Sequence, residues 1–231
     1  ILGPNCLGVI NPHMQLNASL ARHSPQAGDI ALISQSGAIS AGLVEWSLGR
    51  SIGFSSVVSL GDALDVDFGD LLDYFATDPK TRAILLYVEA IHDARKFMSA
   101  ARAAARIKPV GVMKARQQGY VLSDNGHEPQ IGDDAVYDAA FRRAGLLRVH
   151  SLDELFAAAE TLGRLHAVPG RRLGVLTNGG GVGALSADRL VALGGSLADL
   201  SSATVARLDS RLPVGWSRTN PVDLLTDIDA E

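Results

Sequence analysis

Ile30-Ala31-Leu32-Ile33-Ser34-Gln35-Ser36-Gly37-Ala38-Ile39-Ser40 decides the reading of the fold. Its four leading apolar residues carry no polar interruption, as a strand buried on both faces requires. The small and polar Ser34-Gln35-Ser36-Gly37 reads as a turn, followed by a helix to about Leu48 with serine where an N-cap belongs. The same alternation runs on. Val57–Leu60, Ala83–Val88 and Pro109–Met113 read as further strands, separated by helices near Val66–Phe75 and Ala94–Arg106. About Lys114–Asp133 is polar and without period, long enough for a functional loop. Helix Asp134–Ala144 then ends at Gly145, a suitable C-terminal cap. Leu146–Val149 is a short last strand, and Ser151 with Glu154 forms a capping box for a helix to His166. Apolar strands interleaved with helices specify an α/β fold, a doubly wound, flavodoxin-like parallel sheet. Its ligands belong at the carboxyl ends of the strands.

Further along, Val168-Pro169-Gly170-Arg171-Arg172 reads as a linker. A second unit follows: strand Leu173–Leu176, a glycine-rich turn, helix Gly183–Leu193 and helix Ser201–Leu212. It repeats the order strand, small-residue turn, helix seen at Ile30–Leu48. Asn220-Pro221-Val222-Asp223 reads as a turn before a new element.

The bulk numbers exclude several classes. The chain has 231 residues, 47% hydrophobic and 20% charged, with a net charge of −4. That balance fits a globular core and argues against a nucleic-acid partner. One cysteine, Cys6, allows neither a disulfide framework nor a cysteine-rich metal site. No apolar run reaches the roughly 18–20 residues that span a bilayer, and no signal peptide is visible. A cytoplasmic, reducing compartment is the expectation. The chain opens on Ile1 without an initiator Met and ends soon after a proline turn, so it reads as part of a longer protein.

Four places carry candidate chemistry. At Ser34-Gln35-Ser36-Gly37-Ala38 a helix start exposes unpaired N–H groups and a positive dipole end, and small residues let an anion approach; the alternative is an ordinary N-cap. Thr177-Asn178-Gly179-Gly180-Gly181-Val182-Gly183 has four glycines in five positions, more than one tight turn needs. It is either a phosphate or phosphohistidine cradle or a flexible turn. Glu89 directly follows the Leu85–Val88 strand, where it could polarise a histidine or simply favour the dipole of the next helix. His127 in Ser123-Asp124-Asn125-Gly126-His127-Glu128 is either a phosphoryl-accepting nucleophile or a solvated loop histidine. The other histidines are scattered without metal-ligand spacing.

Taken together, Gly3-Pro4-Asn5-Cys6-Leu7-Gly8-Val9-Ile10-Asn11-Pro12, Ile33–Gly37, Ser59-Leu60-Gly61-Asp62, Leu86-Tyr87-Val88-Glu89 and Asn220–Asp223 resemble the succinyl-CoA synthetase superfamily. The resemblance is closest to the NDP-forming acyl-CoA synthetases of the ADP-forming acetate–CoA ligase type and their relatives fused to a GNAT acetyltransferase. It implies the tail of a CoA-binding Rossmann domain over 1–24, a flavodoxin-like CoA-ligase domain over 25–167, and the start of a second such domain over 168–231. It also implies a ligase that interconverts acyl-CoA, ADP and phosphate with acid, CoA and ATP through a phosphohistidine. Coenzyme A would be a substrate, with Asn5 and Cys6 on its side. ATP or ADP with Mg would sit on an ATP-grasp domain or subunit outside this chain, in a homo-oligomer. Ser34–Ala38 and Asn178–Gly181 would match the family's two phosphate-facing helix starts, and Glu89 the carboxylate that steadies the histidine.

One segment departs from the family's pattern. The Asp134–Phe141 helix is present, but the expected Ser-His-Thr-Gly-Ala-like loop is replaced by Asn125-Gly126-His127-Glu128-Pro129-Gln130-Ile131-Gly132. His127 is then the phosphoryl carrier in a diverged loop, or the site is a non-catalytic acyl-CoA sensor of a GNAT-fused protein acetyltransferase, or loop residues are absent. A plain flavodoxin-like module binding a flavin or a response-regulator partner is a further reading.

Overall fold

A computed structural model describes residues 1–115, 133–164 and 170–225. It divides into two compact units, Ile1–His166 and Ala167–Glu231.

The first unit contains β1 (Gly8–Asn11), β2 (Leu16–Ser19), β3 (Gln26–Ser34), α1 (Gly37–Ser47), β4 (Gly53–Ser59), α2 (Phe68–Thr77) and β5 (Ala83–Val88). It continues with α3 (Ala94–Ile107), β6 (Val110–Lys114), α4 (Asp133–Ala144), β7 (Leu147–Val149) and α5 (Leu152–Arg164). The seven strands form one sheet in the order β2-β1-β4-β3-β5-β6-β7. From β4 to β7 all pairs are parallel. The parallel part therefore has the 2-1-3-4-5 order of a flavodoxin-like sheet, whose strand order reverses between β3 and β5.

Alternation along the central strands explains why both faces are covered. Ala31, Ile33, Ile84 and Leu86 point into one core with Phe68, Leu72 and Phe75 of α2 and Phe97 and Ala101 of α3. Ile30, Leu32 and Leu85 join the other core with Leu43 and Val44 of α1 and Leu155 and Ala159 of α5. All four residues of Ile30–Ile33 are fully buried. In α3 the buried Phe97, Ala100, Ala101 and Ala104 recur at i, i+3, i+4 and i+7, one stripe of a helix. Asp93 caps that helix by accepting from the Arg95 and Lys96 N–H groups, and Asp67 caps α2 in a capping box with Asp70. Arg82, at the entrance to β5, forks onto Asp29 of β3 (2.5 and 3.2 Å) and also donates to the Leu162 carbonyl of α5. Three elements are thereby tied at the amino-terminal edge of the sheet.

β1 and β2 were not anticipated. They pair antiparallel with each other, and β1 pairs antiparallel with β4. The sheet thus runs across residue 25, where the sequence reading draws a domain boundary. Gly8–Asn11 and Leu16–Ser19 are short and mostly part-exposed, so they carry no apolar run to announce a strand.

The second unit contains β8 (Arg172–Leu173), β9 (Leu176–Thr177), α6 (Gly180–Ala192), β10 (Ser196–Leu197), α7 (Ser202–Asp209) and β11 (Val222–Asp223). The expected strand Leu173–Leu176 is broken into β8, parallel to β10, and β9, parallel to β11. Asn220 explains the break. Its amide nitrogen donates to the Leu173 and Ala198 carbonyls (2.7 and 2.9 Å), and its oxygen accepts the Val175 N–H (3.0 Å). That amide stitches the two strand pairs together, a role beyond the simple turn expected of Asn220–Asp223.

Candidate functional site

The turn between β3 and α1 is built by the Ser34 hydroxyl. Ser34 is fully buried. Its Oγ accepts the Ser36 N–H (3.0 Å) and donates to the Ser36 carbonyl (2.8 Å), closing a small ring at the strand end. Ser36 is the N-cap, its Oγ accepting the Ile39 N–H. The Ser36 carbonyl also takes bonds from the Ser40 N–H and hydroxyl, both at 3.1 Å. The N–H groups of Gly37 and Ala38 have no acceptor among the described residues, and Ala38 is exposed. Two oriented donors thus stand at the positive end of an 11-residue helix whose first turn holds no acidic residue.

Neighbouring strands hold this turn from both sides. The Leu60 N–H donates to the Ser34 carbonyl (2.7 Å), and the Gln35 N–H donates to the Tyr87 carbonyl (3.1 Å). The Gln35 side-chain oxygen accepts the N–H groups of Glu89 (2.6 Å) and Ala90 (3.0 Å). Glu89 is exposed, directly after β5, at the switch point of the sheet. The structure therefore brings Ser34–Ala38 and the backbone of Glu89 together.

The amino-terminal segment joins the same edge. The Leu7 N–H donates to Ser59 Oγ (2.9 Å), and a Cβ on Gly37 would lie 3.3 Å from Leu7 Cβ. Asn5 Nδ2 reaches Asp62 at 3.5 Å, and the Asp62 N–H donates to the Pro4 carbonyl. Gly61 has φ +57°, and a Cβ there would fall 2.1 Å from the Pro4 carbonyl oxygen, so only glycine lets the two loops meet. Asn5 and the half-buried Cys6 accordingly adjoin the α1 turn through Leu7.

Lys114 was not singled out by the sequence reading. It ends the apolar β6 run, is buried, and pairs in register with Val88, so a cation stands one strand from Glu89. Its Nζ donates to the Ala115 carbonyl and sits 4.8 Å from the Tyr137 ring centroid. A lysine closing Pro109–Met113 was the available signal. His127 lies outside the described residues, as does most of the Lys114–Asp133 stretch.

Beside this edge stands an ion-paired cluster. Lys96 bonds Asp70 (2.7 Å) and lies 3.0 Å from Asp67. The Lys96 hydrogen bond holds the Asp70 carboxyl below its usual value, and the two aspartates raise the Lys96 ammonium. Among the described residues no group of three or more His, Cys, Asp or Glu is placed to hold a metal, and no helix is long and apolar enough to cross a membrane.

The second unit repeats the device. Thr177 Oγ1 accepts the Gly179 N–H and donates to the Gly179 carbonyl, both at 3.1 Å, as Ser34 does for Ser36. Helix α6 starts at Gly180, three residues earlier than expected, so Gly180, Gly181 and Gly183 belong to its first turn. Gly180 and Gly183 answer to packing, whereas a Cβ on Gly181 would meet open space. A Cβ on Gly180 would lie 2.8 Å from Asp223 Oδ2, and one on Gly183 2.9 Å from Thr177 Cγ2. The N–H groups of Gly180 and Gly181 have no acceptor among the described residues, while the Asp223 carboxylate lies against the helix start. Asn178 is exposed.

The sequence and fold are shared with known proteins. Residues 27–162 match the family described as succinyl-CoA ligase like flavodoxin domain. Acetate–CoA ligase [ADP-forming] I of Archaeoglobus fulgidus is 42% identical over all of this chain, which covers 34% of that protein. Acetate–CoA ligase [ADP-forming] II subunit alpha of Pyrococcus furiosus is 37% identical over the whole chain, which covers 50% of it. A solved structure of the dinucleotide forming acetyl-coenzyme A synthetase 1 of Ca. Korarchaeum cryptofilum, in complex with phosphate and ADP, superimposes with a TM-score of 0.86 at 32% identity. It covers 97% of this chain and 49% of that one. The chain spans a third to half the length of these relatives. A parallel sheet in flavodoxin order, a serine-bracketed helix start at its switch point and matched sequence across the domain lead to one assignment: the chain belongs to the succinyl-CoA ligase-like flavodoxin-domain family and is homologous to the ADP-forming acetate–CoA ligases.

Proposed function

We propose that this chain is the phosphoryl-handling part of an NDP-forming acyl-CoA synthetase, which interconverts acyl-CoA, ADP and phosphate with acid, CoA and ATP. In the first step phosphate displaces CoA from the acyl group, giving acyl phosphate and free thiol. The imidazole of His127 then takes the phosphoryl group and releases the carboxylate, and ADP removes it as ATP. The unused N–H groups of Gly37 and Ala38, on a turn held rigid by Ser34 and set beside the Glu89 backbone, carry this reading. A phosphoimidazole concentrates negative charge, and pre-aimed N–H donors stabilise it without reorganisation. Glu89 accepts the other imidazole N–H and keeps the ring in the reactive tautomer. In the second unit the Gly180 and Gly181 N–H groups offer a phosphoryl group the same kind of donors. Asn5 and Cys6 lie on the CoA side. ATP or ADP with Mg, bound to an ATP-grasp partner, supplies and receives the phosphoryl group; the assembly is a homo-oligomer in the cytoplasm.

Incubating the intact protein with γ-labelled ATP and magnesium tests this. The expected product is an acid-labile, base-stable phosphohistidine, abolished by His127→Ala. Absence of label, or label indifferent to that change, overturns the proposal. Acyl-CoA binding without any label would instead mark a sensing module.

A further inference from the structure

Gln35 makes three hydrogen bonds to the segment that follows it across the sheet. Its N–H bonds the Tyr87 carbonyl, and its side-chain oxygen receives both the Glu89 and the Ala90 N–H. The β3–β5 ladder ends at the Ser34–Tyr87 pair. Beyond that pair the twist of a parallel sheet lets strand ends diverge, and this divergence opens the crevice at a switch point. Gln35 bridges the gap. Two N–H donors on one atom also fix the orientation of the amide, since its NH2 end cannot accept. Glu89 and Ala90 are both exposed, between the buried Val88 and Ile91, which packs against the core. Among the described residues, Gln35 is what holds the two N–H groups between those anchors.

We propose that Gln35 is a positioning residue: by holding the Glu89 and Ala90 N–H groups it fixes the Glu89 carboxylate relative to the Gly37 and Ala38 donors, so that both meet one phosphoryl-bearing imidazole. This rests on the function proposed above and reassigns the Gln35 side chain from phosphate contact to geometry. The same clasp ties the anion-binding turn to the carboxylate as one rigid unit. Displacements near 1 Å at such a site slow chemistry by about 100-fold.

The test uses the intact protein with Gln35→Met, which keeps the bulk and removes the acceptor, and Gln35→Asn, one methylene short of the two N–H groups. Hydrogen exchange of a peptide covering 87–91 should accelerate at least about ten-fold in both, with the rest of the fold unchanged. Phosphohistidine formation should slow about 10- to 100-fold, while KM for acyl-CoA stays within about two-fold. Glu89→Gln alone should slow it comparably, and Gln35→Met with Glu89→Gln should be no slower than Glu89→Gln within about two-fold, because Gln35 acts through Glu89. Multiplying effects would make Gln35 a direct phosphate ligand and overturn the proposal, as would unchanged exchange at 87–91. Failure of the unmutated protein to label overturns the proposed function and Gln35's part in it together. Labelling with a multiplying cycle sinks only the positioning role.

Discussion

Replacing Ser34 with alanine removes one buried hydroxyl and should loosen the turn on which the whole site is built. Two bonds go: the donor to the Ser36 carbonyl and the acceptor for the Ser36 N–H. The carbonyl keeps the Ser40 N–H and hydroxyl, so it remains satisfied. The Ser36 N–H is left without a partner, which costs about 1–3 kcal/mol for a buried donor. Because the bond is only part-buried, water relieves some of that, and the expected loss is about 2 kcal/mol. At about 2–4 °C per kcal/mol for a unit of this size, the melting temperature falls by about 4–8 °C. Thermal unfolding followed by circular dichroism reads this, and hydrogen exchange at 36–40 localises it. Phosphohistidine formation should fall with it, since Gly37 and Ala38 are aimed by the same ring. A Ser34→Ala protein with unchanged melting temperature and unchanged exchange would refute the claim that this hydroxyl builds the turn.

Asn220→Ala should cost the second unit about 2–4 kcal/mol, three hydrogen bonds being lost at once, with faster exchange along 172–177. Gly61→Ala should cost about 2 kcal/mol or more, because φ is +57° and the new Cβ meets the Pro4 carbonyl at 2.1 Å; the melting temperature reports it. Asp70 is held below 3.8 by Lys96, so its contribution is complete above that pH and fades as pH falls through the lowered value. Asp70→Asn should therefore flatten the loss of stability below about pH 4 in urea titrations, and high salt should shrink the difference.

The sequence made the parallel part of the first unit legible because its strands are buried on both faces. Ala83–Val88 is an unbroken apolar run and is observed with those bounds. Capping serines and aspartates marked the helix starts for the same local reason. What stayed hidden depends on partners distant in the chain. β2 lies at the sheet edge with Leu16, Asn17 and Ala18 all exposed, so nothing in Leu16–Ser19 is patterned by burial. The break in the strand at Leu173–Leu176 comes from Asn220, whose amide arrives from more than forty residues away. The early start of α6 runs against glycine's low helix propensity, and the crowding by Asp223 and Thr177 that favours glycine at 180 and 183 comes from residues apart in the chain. At the candidate site, the Ser34–Ala38 turn and the position of Glu89 at the end of β5 were readable from their place between strand and helix. Gln35's grip on residue 90 and the burial of Lys114 were not, since both follow from strand order.

The most direct measurement is a crystal structure of the intact protein trapped with its phosphoryl group in place, by phosphorylation or by soaking with an acyl phosphate analogue. The account predicts phosphoryl oxygens about 3 Å from the Gly37 and Ala38 nitrogens, with the Glu89 carboxylate on the phosphorylated imidazole. A phosphoryl group bound elsewhere, with those two N–H groups facing only water, would contradict it.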